Sequence, residues 1–219
     1  RAKDSLTSGV DGIPSFIIKD CASVLVEPLF YLFNLILRTS SFPTLWKKSI
    51  ICPILKKDGP SNISNSRPIS LLCNFAKILE SILYKRIYSA ITPSLSTFQH
   101  GFMEKRSTVT NLSCFTQDVS EALDKNKQVD VTYTDFQKAF NQVDHFIFLD
   151  KLHKIGFGSM LLQLFNSYLM GREQIVRYCN YLSQPFVPTS GVPQDSNLGS
   201  LLFLIFINDL GSSLCCSKL

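Results

Sequence analysis

The chain has 219 residues, 45% of them hydrophobic and 11% aromatic, enough apolar side chain for one large domain or two small subdomains and too much for a disordered tail. Twenty-two Lys and Arg against 17 Asp and Glu give a formal charge of +5, a mild bias that permits a polyanionic partner without demanding one. The seven cysteines form no CxxC pair and no histidine sits at zinc spacing, which disfavours a disulfide framework or a zinc finger and favours a reducing, intracellular setting, nucleus or cytoplasm.

In chain order, the opening residues lack a Met and a signal-peptide pattern and read as an interior cut. Residues 28–38 begin on Pro28, suited to a first helical turn, and continue apolar on nearly every side, as a buried helix would. This run and "LLFLIFI" at 201–207 are both too short to cross a bilayer, so no membrane partner is expected. "SIICPIL" (49–55) predicts a strand, 56–66 a basic, turn-rich loop, and "ISLL" after Arg67-Pro68 a second extended run. From 75 to 91, Phe75, Ile78, Leu79, Ile82, Leu83 and Ile87 follow the i, i+3, i+4 rule of an amphipathic helix. A loop over 96–108 leads to a second such helix, marked by Val109, Leu112, Phe115, Val119 and Leu123, with Ser107 as its cap and an end near Asn126.

"VDVTYTDF" predicts a strand over 129–136, followed by a helix over 145–155 that Asp144 caps and Gly156 ends, then another over 159–170 ended by Gly171. "QIVRYCN" and "QPFVPTSG", joined by "YLS", predict a β-hairpin, and "LGSLLFLIFINDL" a last helix. Helices cluster before and between strands, which favours α+β over regular βαβ alternation. Alternation along 129–136 places Asp135 in an apolar row with Val129, Val131 and Tyr133, which is costly unless the strand end opens to water or a cation. An ordinary strand end and half of a metal site both fit that pattern. Phe140 likewise fits a core aromatic as well as a wall beside such a site.

Four stretches, "NSRPISLLCNFAKILESIL", "QHGFMEKRSTVTNL", "VTYTDFQKAFNQVDH" and "SGVPQDSNLGSLLFLIFINDL", resemble in order and spacing the reverse transcriptase domain of non-LTR, LINE-like retrotransposons, the likeness running from about 11 to 219. The resemblance implies a right-hand polymerase, helix-rich with a small antiparallel sheet, in which 1–127 form fingers and upper palm and 128–219 a partial palm. It implies an RNA-directed DNA polymerase acting on an RNA template, a DNA primer and dNTPs with Mg²⁺. Asp135 then matches the first metal-binding acid, which with a later Asp pair holds two magnesium ions for in-line displacement. Phe140 matches the aromatic that excludes a 2′-OH, and Arg67 the residue that grips the triphosphate, with Lys56 and Lys57 beside it. Gln194 matches the residue touching nucleotide and template from a loop bent by Gly191 and Pro193.

The chain departs from the family where Asp195 replaces the usual Gly after Gln194, adding bulk and negative charge next to phosphates. Ser200, Asn141, Gln137, Met103 and Lys105 are smaller departures. The family's aromatic-Ala-Asp-Asp box is expected just past Leu219, and Asp209 matches the acid ending the preceding helix, so this chain by itself is expected to be inactive. The other open reading is a nucleic-acid-binding remnant of a decayed element. Ser217-Lys218-Leu219 formally spells a peroxisomal address and is read as a chance match at a truncation point.

Overall fold

The computed structural model describes residues 6–55 and 65–211. The chain runs α1 (Ser15–Asp20), α2 (Ala22–Thr39), α3 (Thr44–Lys47), β1 (Lys48–Leu55), β2 (Ser66–Leu71), α4 (Asn74–Ile91), α5 (Thr108–Asp124), α6 (His145–Ile155), α7 (Ser159–Leu169), β3 (Glu173–Tyr178), β4 (Tyr181–Leu182) and α8 (Asn197–Ile207). This is an α+β fold, with helices in the majority and one small sheet.

Helix ends follow their local signals. The Ser107 hydroxyl accepts from Thr110 N at 3.3 Å and the Thr110 hydroxyl accepts from Ser107 N at 2.9 Å, a reciprocal capping box at the start of α5. Asp144 Oδ1 accepts from Phe146 N and Ile147 N at 2.8 and 2.9 Å, capping α6, and Gly156 at φ 100° closes it in the left-handed conformation that glycine takes freely.

The sheet has the order β2-β1-β3-β4 and is mixed rather than antiparallel as expected. β1 pairs antiparallel with β2, but Lys48–Ile51 pair in parallel with Glu173–Val176. Some hundred residues of helix and loop separate β2 from β3, and a connection of that length carries the chain back to enter β3 parallel to β1. Lys48 Nζ lies 3.1 Å from the Glu173 carboxylate across that pair. The hairpin turns earlier than predicted: Cys179 and Asn180 form the turn, Cys179 at φ 52°, and Tyr181 and Leu182 are themselves the return strand.

Two further expectations fail. Residues 129–136 form no strand, because none of the described residues pairs with them, and an isolated extended segment leaves its backbone groups to water. The helix begun at Pro28 starts instead at Ala22, with Pro28 inside it, and only Ile36 is buried, while Val24, Val26, Phe30, Tyr31 and Leu35 are exposed. Apolar composition signals burial only where something packs against the face. At 18 residues α2 is long and apolar enough, by length and composition, to cross a bilayer, contrary to the shorter run read from sequence.

The core lies between α4, α6, α7 and α8. α8 is apolar all round and almost wholly buried, Leu198, Leu201, Leu202, Leu204 and Ile205 being at most 1% exposed. Phe148 and Leu152 of α6 and Leu164, Phe165 and Tyr168 of α7 complete the packing around it. This arrangement decides where the loop preceding α8 must lie.

Candidate functional site

The loop 190–196 seats itself on the turn that follows Asp135. Gly191 N donates to Val143 O and Val192 N to Phe140 O, both at 2.8 Å, and the Ser190 hydroxyl donates to Asn141 O at 2.8 Å. A Cβ on Gly191 would lie 2.9 Å from both Asn141 Cα and Phe140 O, and its φ is 94°, so this position requires glycine on two counts. His145, 3% exposed, donates from Nε2 to Gly191 O at 2.7 Å and fixes the same loop from the first turn of α6.

Phe140 belongs to a 3-10 turn, Ala139–Gln142. Its ring stacks on Phe203 of α8 with centroids 5.0 Å apart and meets the edge of Phe102 at 5.7 Å, yet it stays half-buried. The main-chain oxygen of Gln194 accepts from Ser70 N at 3.3 Å, which joins the loop to β2. Three of the four motif stretches thus converge on residues 190–196. Arg67 lies on the same strand, exposed, three residues from Ser70, or about 10 Å along the strand. Asp135 is exposed, in the irregular segment before Lys138. Lys56 and Lys57 lie outside the described residues.

The magnesium pair implied by the family resemblance demands more than Asp135 provides. Mg²⁺ dehydrates reluctantly, and one exposed carboxylate does not align two ions. Among the described residues no three His, Cys, Asp or Glu side chains cluster, and Asp209 is engaged with Lys151 Nζ at 2.6 Å. These residues do not by themselves fit the pair.

Asp195 occupies φ 64°, the left-handed region in which a Cβ is strained. The substitution for glycine therefore carries a conformational penalty besides its charge. Asp195→Gly is expected to raise stability by about 1 kcal/mol, seen as a higher urea midpoint at unchanged slope.

Two groups that organise the site escaped sequence reasoning. Glu80 of α4 is 0% exposed; its Oε1 accepts from the Tyr168 hydroxyl at 2.8 Å and its Oε2 from Asn197 N at 3.1 Å. Arg172, 2% exposed, lies over the Tyr168 ring at 4.9 Å and donates to Tyr168 O at 3.2 Å. Burial raises the Glu80 carboxyl above its ordinary value; the Tyr168 hydroxyl, the Arg172 charge and the amides of Asn197 and Leu198 oppose that rise only in part. The folded state therefore favours the protonated acid. Its contribution to stability is complete below the ordinary value of 4.5 and is lost as pH rises through the folded value. Glu80→Gln, which does not titrate, is expected to flatten the fall of the urea midpoint as pH rises above the ordinary carboxyl value of 4.5. The one sequence signal for Glu80 is a charge next to Leu79 and three residues before Leu83, at the edge of a helix's apolar stripe. His145 stands directly after a capping Asp and carries no comparable mark.

A profile of the family described as reverse transcriptase (RNA-dependent DNA polymerase) matches residues 54–215. The chain is 33% identical over 205 residues to the "Probable RNA-directed DNA polymerase from transposon BS" of Drosophila melanogaster, covering 92% of this chain and 22% of that protein. It is 33% identical over 185 residues to the RNA-directed DNA polymerase from mobile element jockey of Drosophila funebris (83% and 20%). With the Pol polyprotein of type-1 retrotransposable element R1 of Bradysia coprophila it shares 29% over 213 residues (96% and 21%). The chain spans about a fifth of the length of these relatives.

Proposed function

The chain belongs to the reverse transcriptase (RNA-dependent DNA polymerase) family, as a LINE-like, non-LTR retrotransposon domain, and on that footing we propose that it forms the template- and nucleotide-holding part of an RNA-directed DNA polymerase. The family generally uses divalent metal ions and acts on nucleic acid templates and nucleotides. Here the substrates are an RNA template, a DNA primer and dNTPs. The observation that carries the proposal is the convergence of the β2, Phe140 and Gln194 segments through main-chain hydrogen bonds.

Each side chain then has one task. Arg67 presents a planar donor fork to the triphosphate, Gln194 contacts nucleotide and template from its clamped loop, Phe140 closes the space a 2′-OH would need, and Asp135 supplies a hard oxygen donor. Residues 1–127 form fingers and upper palm, and 128–219 the start of the palm.

An RNA/DNA template–primer titrated against the chain at several salt concentrations tests this, with anisotropy as readout. Affinity is expected to fall steeply with salt, because the contacts are to phosphates. Arg67→Ala is expected to leave template–primer affinity nearly unchanged and to weaken the binding of dNTP to that complex by about 2 kcal/mol. No binding by folded protein at low salt counts against the assignment. Asp195 favours the second reading, a non-catalytic nucleic-acid-binding remnant, since its carboxylate stands where glycine admits the template; primer extension by the 219-residue chain excludes that reading.

A further inference from the structure

Loop 190–196 is held at two ends. Upstream, Gly191 and Val192 bond to the Phe140 turn. Downstream it runs into α8, where two amides of the first turn are taken by side chains. Asn197 N donates to Glu80 at 3.1 Å and Gly199 N to the Ser196 hydroxyl at 2.8 Å. Asn197 Nδ2 donates in turn to Lys77 O at 3.1 Å and Ser81 Oγ at 2.8 Å, both on α4. Gln194 lies between the two clamps.

We propose that Glu80 is a positioning residue for Gln194: reaching across from α4, its carboxyl group fixes the start of α8 and thereby the downstream end of the nucleotide-contacting loop. This rests on the polymerase reading for the role of Gln194, though not for the clamp itself. A buried carboxyl is a costly way to stabilise a core, since an apolar side chain of similar volume often serves as well. What it adds is direction. Two oxygens, one on the Tyr168 hydroxyl and one on the α8 amide, permit a single orientation of α8 against α4 and α7.

The test compares Glu80→Met, which keeps an unbranched chain of similar length but removes both acceptors, with Glu80→Gln. Gln keeps one oxygen for Asn197 N, and its amide can donate to the Tyr168 hydroxyl. Amide exchange by mass spectrometry is read for 190–199 and, separately, for α6 and α7. In Glu80→Met, exchange in 190–199 is expected to rise about tenfold with α6 and α7 unchanged, and Glu80→Gln to restore protection. Affinity for an RNA/DNA template–primer is expected to fall about tenfold in the Met variant and to recover in the Gln variant. Should Met prevent folding, Glu80→Asp, too short to reach both donors, makes the same comparison. A uniform rise in exchange across the core, or none in 190–199, overturns the proposal. If wild-type protein binds no template–primer while exchange depends on Glu80 as described, the clamp stands and the polymerase reading fails; if it binds but exchange ignores Glu80, the reverse holds.

Discussion

Gly199→Ala is expected to lower stability by about 3 kcal/mol, at the upper end of what forced overpacking costs. The added methyl carbon would lie 2.3 Å from Pro193 O and 2.7 Å from the Ser196 hydroxyl. Neither can yield cheaply. Pro193 O accepts from that same hydroxyl at 2.9 Å, and the hydroxyl caps α8 by accepting from Gly199 N. Replacing a helical glycine by alanine ordinarily gains about 1 kcal/mol, so the expected sign is opposite to helix propensity. In a domain of this size the loss corresponds to about 10 °C in melting temperature. Thermal unfolding of the two proteins side by side decides it; an unchanged or raised midpoint means that loop 190–196 does not fold back on α8 as described.

Phe140→Ala is the other large effect, and it separates two roles of one ring. Removing a half-buried ring that stacks on Phe203 and meets Phe102 is expected to cost about 2–3 kcal/mol, less than a fully buried phenylalanine. Urea unfolding of this chain measures that part. In an active polymerase carrying this segment, the same substitution empties the space the ring fills beside Phe102 and Phe203, and incorporation of rNTP relative to dNTP is expected to rise. Selectivity measured as the ratio of kcat/KM values for the two sugars isolates it from stability. A stability loss with unchanged selectivity makes Phe140 a core aromatic alone.

Much of the structure was legible locally. Ser107, Asp144 and Gly156 mark helix ends because capping satisfies groups within one turn of chain, and those bonds are present where the residue types predict. The all-apolar run of α8 foretold burial that the helix realises, and the i, i+3, i+4 stripe of α4 did so at Leu79, Leu83 and Ile87 but not at Ile82, which is exposed. The same logic misled at α2, at α5, whose Val109, Leu112 and Leu123 are exposed, and at 129–136. α2 is apolar but has few neighbours among the described residues, and "VDVTYTDF" has β propensity but no partner strand there.

The sequence by itself therefore determined helices α4 to α8, the caps of α5 and α6, strands β1 and β2, and family membership through four spaced motifs, because each depends on residues close together in the chain or on their order. Tertiary structure alone decided that β3 lies parallel to β1, that His145 and Gly191 share a hydrogen bond, and that Glu80 stands under the start of α8. A carboxyl on an apolar helix face has the same sequence signature whether it is solvated or sealed. Only the approach of Tyr168 and Asn197, 88 and 117 residues away, turns it into the clamp of the loop that carries Gln194.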